Sequence, residues 1–141
     1  EAAALLHDTG MLDKYLNHEE ASVELAAQVL HRFGFKDKDT DIVNRLIMVT
    51  KLPQHPDDLL ESIMCDADLD YLGRSDYFVH AFKLKLEWHE KNIKSTSLKE
   101  WFDIQVAFLS NHTYFTRSAK ENRDPGKKNN LSEITNFLNL L

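Results

Sequence analysis

Asn17-His18-Glu19-Glu20-Ala21-Ser22-Val23-Glu24-Leu25-Ala26-Ala27-Gln28-Val29-Leu30 is the stretch from which the rest of the chain can be read. Val23, Leu25, Ala26, Val29 and Leu30 recur at the three- and four-residue spacing of a helix face, with no strict alternation that would suggest a strand. Asn17 followed three residues later by Glu20 is a capping-box pattern, and Phe33-Gly34 supplies a stop. A helix of about four turns is expected between them.

The same period extends outward in both directions. Upstream, Ala2-Ala3-Ala4-Leu5-Leu6 is an apolar helical run that should end near Asp8-Thr9-Gly10, where glycine permits a left-handed stop. Downstream, Ile42, Val43, Leu46 and Ile47 predict a helix over about 39–51, broken by Leu52-Pro53-Gln54-His55-Pro56. A helix over 57–72 should be ended by Gly73, and another should follow Ser75-Asp76 and reach about Asn92. Ser97 with Glu100 is a second capping box. It opens a long expected helix through Trp101, Ile104, Phe108 and Phe115 to about Glu121. Asp124-Pro125-Gly126 should then turn the chain into a last helix capped by Asn130 with Glu133. The expectation is an all-α fold, a single compact bundle of about six helices forming one domain over residues 1–141.

Composition agrees with that class. The 141 residues are 43% hydrophobic, with four Gly and three Pro, enough for one packed helical core. A net charge of −6 argues against a dedicated binder of long nucleic acid, which needs a basic face. The single cysteine, Cys65, cannot form an intrachain disulfide, and no signal, lipidation or membrane-spanning segment is recognisable. A cytoplasmic protein is expected. The chain begins at Glu1 inside an apolar stretch, which suggests the remainder of a longer polypeptide whose N-terminal part is missing.

The chemistry lies in His7-Asp8 and, far downstream, Cys65-Asp66-Ala67-Asp68-Leu69-Asp70. An imidazole and a carboxylate at the end of a buried run are costly to bury alone, and a divalent cation satisfies both. Helix-end capping is the competing explanation for His7 and Asp8. In the second cluster Asp68 projects between Met64 and Leu72 and Asp70 between Ile63 and Leu59, with Asp66 further out, so periodicity alone does not choose the ligand. Asp70 is as readily a partner of Arg74, and Cys65, a soft thiol beside hard oxygen donors, belongs to packing.

Ala-Ala-Leu-Leu-His-Asp-Thr-Gly, then Asn-His-Glu-Glu-Ala-Ser, then Cys-Asp-Ala-Asp-Leu-Asp-Tyr-Leu-Gly, in that order, resembles the HD-domain superfamily of metal-dependent phosphohydrolases. The resemblance covers most of the chain. It implies an all-α core whose metal is held by an upstream histidine, the His-Asp pair and a later aspartate. On that basis His7 and Asp8 are metal ligands and catalytic residues, and Asp68 is the later ligand, with Asp66 as the alternative. The first histidine of the pattern would lie before Glu1, so activity is conditional on it.

The resemblance further implies that His18 is a catalytic or substrate-binding residue at a helix start, where free amides favour anions. Glu19 is read as an ordinary first-turn acid. Lys51 and Arg74 are candidates for binding substrate phosphate, each with a structural alternative in helix capping or pairing with Asp70 and Asp76. The implied reaction is hydrolysis of a phosphomonoester or phosphodiester, in a nucleotide or other small phosphorylated molecule, by water activated on the metal. Mixed His/Asp ligation does not choose among Mn, Fe, Mg, Co, Ni and Zn. The alternative is a non-catalytic HD-like regulatory module that binds a nucleotide or a protein partner.

Overall fold

The computed structural model describes residues 1–140. Seven α-helices and two 3₁₀ turns make up its regular structure, and no strand occurs among the described residues. The helices are α1 Ala2–Leu6, α2 His18–Arg32, α3 Asp37–Met48, α4 Leu59–Asp68, α5 Tyr77–Glu90, α6 Leu98–Asn111 and α7 Arg117–Leu138. The 3₁₀ turns span Thr9–Leu12 and Asp70–Gly73. The all-α class is as expected, although with more helices than six. None of the described helices is long and apolar enough to cross a membrane. The chain divides into two compact units, Glu1–Asp68 and Leu69–Leu141.

In the first unit α1 to α4 enclose a core of Ala3, Ala26, Leu30, Val43, Leu46, Ile47 and Met64. Helix α2 follows the expected register in part: Ala26 and Leu30 are buried and Val23 and Val29 half-buried, but Leu25 is exposed and Ser22 is fully buried, and Gly34 stops the helix at φ 77°. The predicted capping box at its start does not form. Asn17 sits at the cap in a left-handed conformation and its side chain accepts no cap hydrogen bond. Glu20 is drawn away to Lys51. Gly10 is not a left-handed stop either. It lies inside the first 3₁₀ turn, buried, because an added Cβ would stand 2.0 Å from the His18 carbonyl oxygen and 2.7 Å from the Ser22 nitrogen. Helix α3 begins two residues before the expected start and ends three before the expected stop. The helix expected over 57–72 is shorter at both ends, running from Leu59 to Asp68 before Leu69 passes the chain into the second 3₁₀ turn.

The second unit packs Trp101, Phe102, Tyr77, Tyr114, Leu109 and Ile134 into an aromatic-rich core. The capping box at Ser97 and Glu100 is present in both directions. The long helix expected through Phe115 is instead broken after Asn111. Tyr114 is wholly buried in the intervening extended segment, its hydroxyl donating to the Leu69 carbonyl at 3.2 Å. Lys127 covers the freed His112 carbonyl at 2.6 Å, and Thr116 caps the next helix by accepting from the Ala119 nitrogen.

Asp124-Pro125-Gly126 does not turn the chain, since all three residues lie inside α7. Interior proline costs about 3 kcal/mol in an isolated helix. Tertiary contacts on both sides of Pro125 offset that cost. Arg123 binds Asp70 through two nitrogens, Gly126 rests directly on the backbone of Gly73, and Asn130 donates to the carbonyls of Leu72 and Arg74 at 2.9 and 3.0 Å. Asn130 is therefore a buried mid-helix anchor and not the expected N-cap.

Candidate functional site

The first unit brings His7, Asp8, His18 and Asp68 together from four places. His7 follows the last residue of α1, Asp8 precedes the first 3₁₀ turn, His18 opens α2 and Asp68 ends α4. The His7 Nε2 atom is 3.2 Å from Asp68 Oδ1 and 3.3 Å from Asp8 Oδ2, while Asp8 Oδ1 is 3.3 Å from His18 Nε2. Glu19 Oε1 stands 3.6 Å from the same His18 nitrogen, on a residue only 7% exposed. That burial is more than an ordinary first-turn acid requires. Asp68, the expected later ligand, lies within hydrogen-bond distance of His7, and Asp66 is buried two residues earlier on the same helix.

Local backbone sets which way both imidazoles face. His7 Nδ1 lies 3.0 Å from the Ala4 carbonyl oxygen and His18 Nδ1 lies 3.1 Å from that of Tyr15. A carbonyl only accepts, so in each ring Nδ1 carries the proton. A neutral ring would then direct the bare lone pair of Nε2 at carboxylate oxygens, which is repulsive. In His7, without a cation, the conflict is relieved by protonating the ring. The His7 pKa is accordingly raised above its ordinary value, first by the hydrogen bond to Asp68 and then by the charges of Asp8 and Asp68, with burial opposing them.

Several acids elsewhere in the chain are held by basic side chains. Asp58 and Glu61 bind Arg45, Glu20 binds Lys51, Asp70 binds Arg123 and Asp76 binds Arg74. Asp8 and Asp68 have imidazoles as their ion-pair partners and, among the described residues, no lysine or arginine. Two carboxylates and two imidazoles whose ring N–H groups are held by backbone carbonyls form a donor set of the kind that suits a borderline divalent cation. As the side chains stand, no group of three or more His, Cys, Asp or Glu among the described residues is arranged to hold a metal ion.

The two predicted phosphate contacts are both engaged. Lys51 is paired with Glu20, which raises the lysine pKa and lowers that of the acid. Arg74, in the second unit, grips Asp76 through Nε at 2.8 Å and through Nη2, with Asp70 more distant at 3.9 Å. Cys65 is a packing residue: its thiol donates to the Val49 carbonyl, and burial pushes its pKa up to about 12.

One neighbour of the cluster was not singled out by the sequence. Gln54, 9% exposed, donates from Nε2 to Asp68 Oδ2 at 2.9 Å. Its only sequence signal is its place between Pro53 and Pro56, in a loop leading to the aspartate helix. No protein-family model, no curated protein and no solved structure matches this chain.

Proposed function

We propose that the first unit is an HD-type metal site and that the protein is a cytoplasmic metal-dependent phosphohydrolase acting on a phosphomonoester or phosphodiester of a nucleotide or other small molecule. The observation that carries this reading is the orientation of the two imidazoles. His7 and His18 each spend Nδ1–H on a backbone carbonyl and turn Nε2 toward Asp8, with Asp68 also on His7, and no lysine or arginine among the described residues neutralises either carboxylate. Ligating histidines are fixed in this way by an outer hydrogen bond.

His7, Asp8 and Asp68 are the residues that would hold a divalent ion, Mn, Fe, Mg, Co, Ni or Zn. Bound there, such an ion supplies Lewis acidity toward water and toward a phosphoryl oxygen. The side chains of His7, Asp8 and His18 are 18%, 52% and 17% exposed, so the cluster is open to solvent on the Asp8 side. His18, at the first turn of α2, is placed beside free backbone amides that favour a phosphate. Lys51 would serve a phosphate only by leaving Glu20.

The test combines metal analysis of the purified protein with hydrolysis assays on generic phosphoesters and a nucleotide panel, for wild type, His7→Ala and Asp68→Ala. Wild type should carry a divalent metal and hydrolyse at least one substrate. Both variants should lose metal affinity by more than about a hundredfold. Retained metal and activity in both variants would overturn the assignment. Metal and nucleotide binding without hydrolysis would support the regulatory module instead.

A further inference from the structure

Gln54 is held in a way that its own stability does not explain. Its Nε2 hydrogens face two acceptors, Asp68 Oδ2 at 2.9 Å and the Thr50 carbonyl at 3.3 Å. A flipped amide would press its oxygen against both, so the orientation is fixed by chemistry. That orientation leaves Oε1 buried with no hydrogen-bond partner. An unsatisfied buried acceptor is destabilising, and an unbranched apolar side chain would fill the same space without that cost. A polar group kept at such a disadvantage points to a role other than packing.

The two oxygens of Asp68 are divided between two partners. Oδ1 faces His7 and Oδ2 is clamped by Gln54. The clamp is a neutral donor. An arginine or lysine in that place would orient the carboxylate equally well but would cancel the negative charge that attracts a cation, as Arg123 does for Asp70. Thr50, 5% exposed and itself bonded to the Ile47 carbonyl, anchors the other hydrogen of the amide to the end of α3.

We propose that Gln54 is a positioning residue for the cluster: its amide nitrogen fixes the rotation of Asp68 so that Oδ1 stays turned toward His7 and is available to a divalent cation. This rests on the metal-binding reading above. Outer hydrogen bonds of this kind orient ligands, and removing them weakens metal affinity by about 10- to 100-fold.

The experiment measures Mn²⁺ and Zn²⁺ affinity by calorimetry on chelator-stripped protein, for wild type, Gln54→Met and Gln54→Asn, with circular dichroism to establish that each is folded. Methionine keeps the length and removes the donor. Asparagine keeps the amide but withdraws it by one methylene. Folded variants should bind the ion at least about tenfold more weakly than wild type. A loop-anchoring role alone would lower the melting temperature and leave the affinity of the folded protein intact. Wild-type binding with folded variants within twofold of it would overturn the role of Gln54 and leave the metal reading standing. No binding of either ion by wild type would overturn both. If Gln54→Met does not fold, Gln54→Asn decides, and failure of both to fold would make Gln54 a structural residue.

Discussion

Gly10→Ala should draw Asp8 away from His18 without altering either side chain. Gly10 docks the first 3₁₀ turn onto α2: its nitrogen donates to the buried Ser22 hydroxyl at 2.8 Å, and its α-carbon lies so close to α2 that a Cβ would stand 2.0 Å from His18 O and 2.9 Å from Ala21 Cβ. The obstructing atoms at His18 and Ser22 are backbone, so no side-chain rotation relieves the clash. The turn must retreat by more than about 1 Å before a normal non-bonded distance is restored. Overpacking of this kind costs about 1–3 kcal/mol, and stretching the Gly10–Ser22 bond adds about 1 kcal/mol. Alanine returns about 0.4–1 kcal/mol by restricting the unfolded chain. The expected net loss is about 1–4 kcal/mol, read as a lower urea midpoint with unchanged slope. Asp8 precedes this turn and His18 opens α2, so their 3.3 Å contact should lengthen as well, and divalent-ion affinity should fall with stability. Unchanged unfolding midpoint and unchanged ion affinity in Gly10→Ala would refute the docking role.

Two further perturbations probe the site and the second unit. Because the folded-state pKa of His7 is raised above 6.5, its protonated form stabilises the metal-free protein fully below pH 6.5, and that contribution is lost as pH climbs through the raised value. Urea unfolding in chelator should therefore show stability falling from pH 6 to pH 8 in wild type and a flatter profile in His7→Gln. An equal slope in both would remove His7 from the account. A saturating divalent ion should oppose this trend, since it competes with protons for the same nitrogen. Pro125→Ala should stabilise by roughly 1–3 kcal/mol, because alanine restores the helical N–H toward the Glu121 carbonyl while the contacts of Arg123, Gly126 and Asn130 stay in place. A lowered melting temperature would show that the proline contributes to the packing of α7.

What was legible in the sequence divides by range. Ser97 and Glu100 form their box because both partners lie within one helical turn, and Gly34 ends α2 for an equally local reason. Asn17 and Glu20 show the same local pattern and fail, because Lys51, 31 residues away, takes the glutamate. Pro125 reads as a breaker on local grounds and is held in a helix by Asp70 and Gly73, which sequence does not place beside it. Gly10 and Gly126 read as punctuation, yet each is needed for a close backbone approach, a property of the partner surface. At the candidate site, His7, Asp8, His18 and Asp68 are singled out by the family resemblance of their motifs, since periodicity alone does not choose between Asp66 and Asp68. The division of Asp68 between His7 and Gln54 could not be read, since a glutamine in a loop carries no signal until its partner is known.

The lone thiol offers a clock for this unit. Cys65 is one helical turn before Leu69 and three residues before Asp68, completely enclosed, and poorly ionised. A disulfide reagent can reach it only while the packing around α4, including its hydrogen bond to the Val49 carbonyl, opens. With one cysteine in 141 residues, every labelling event counts one such opening. The labelling rate thus times how often the segment that carries Asp68 lets go, and its slowing by a bound ion would measure how firmly that ion latches the segment shut.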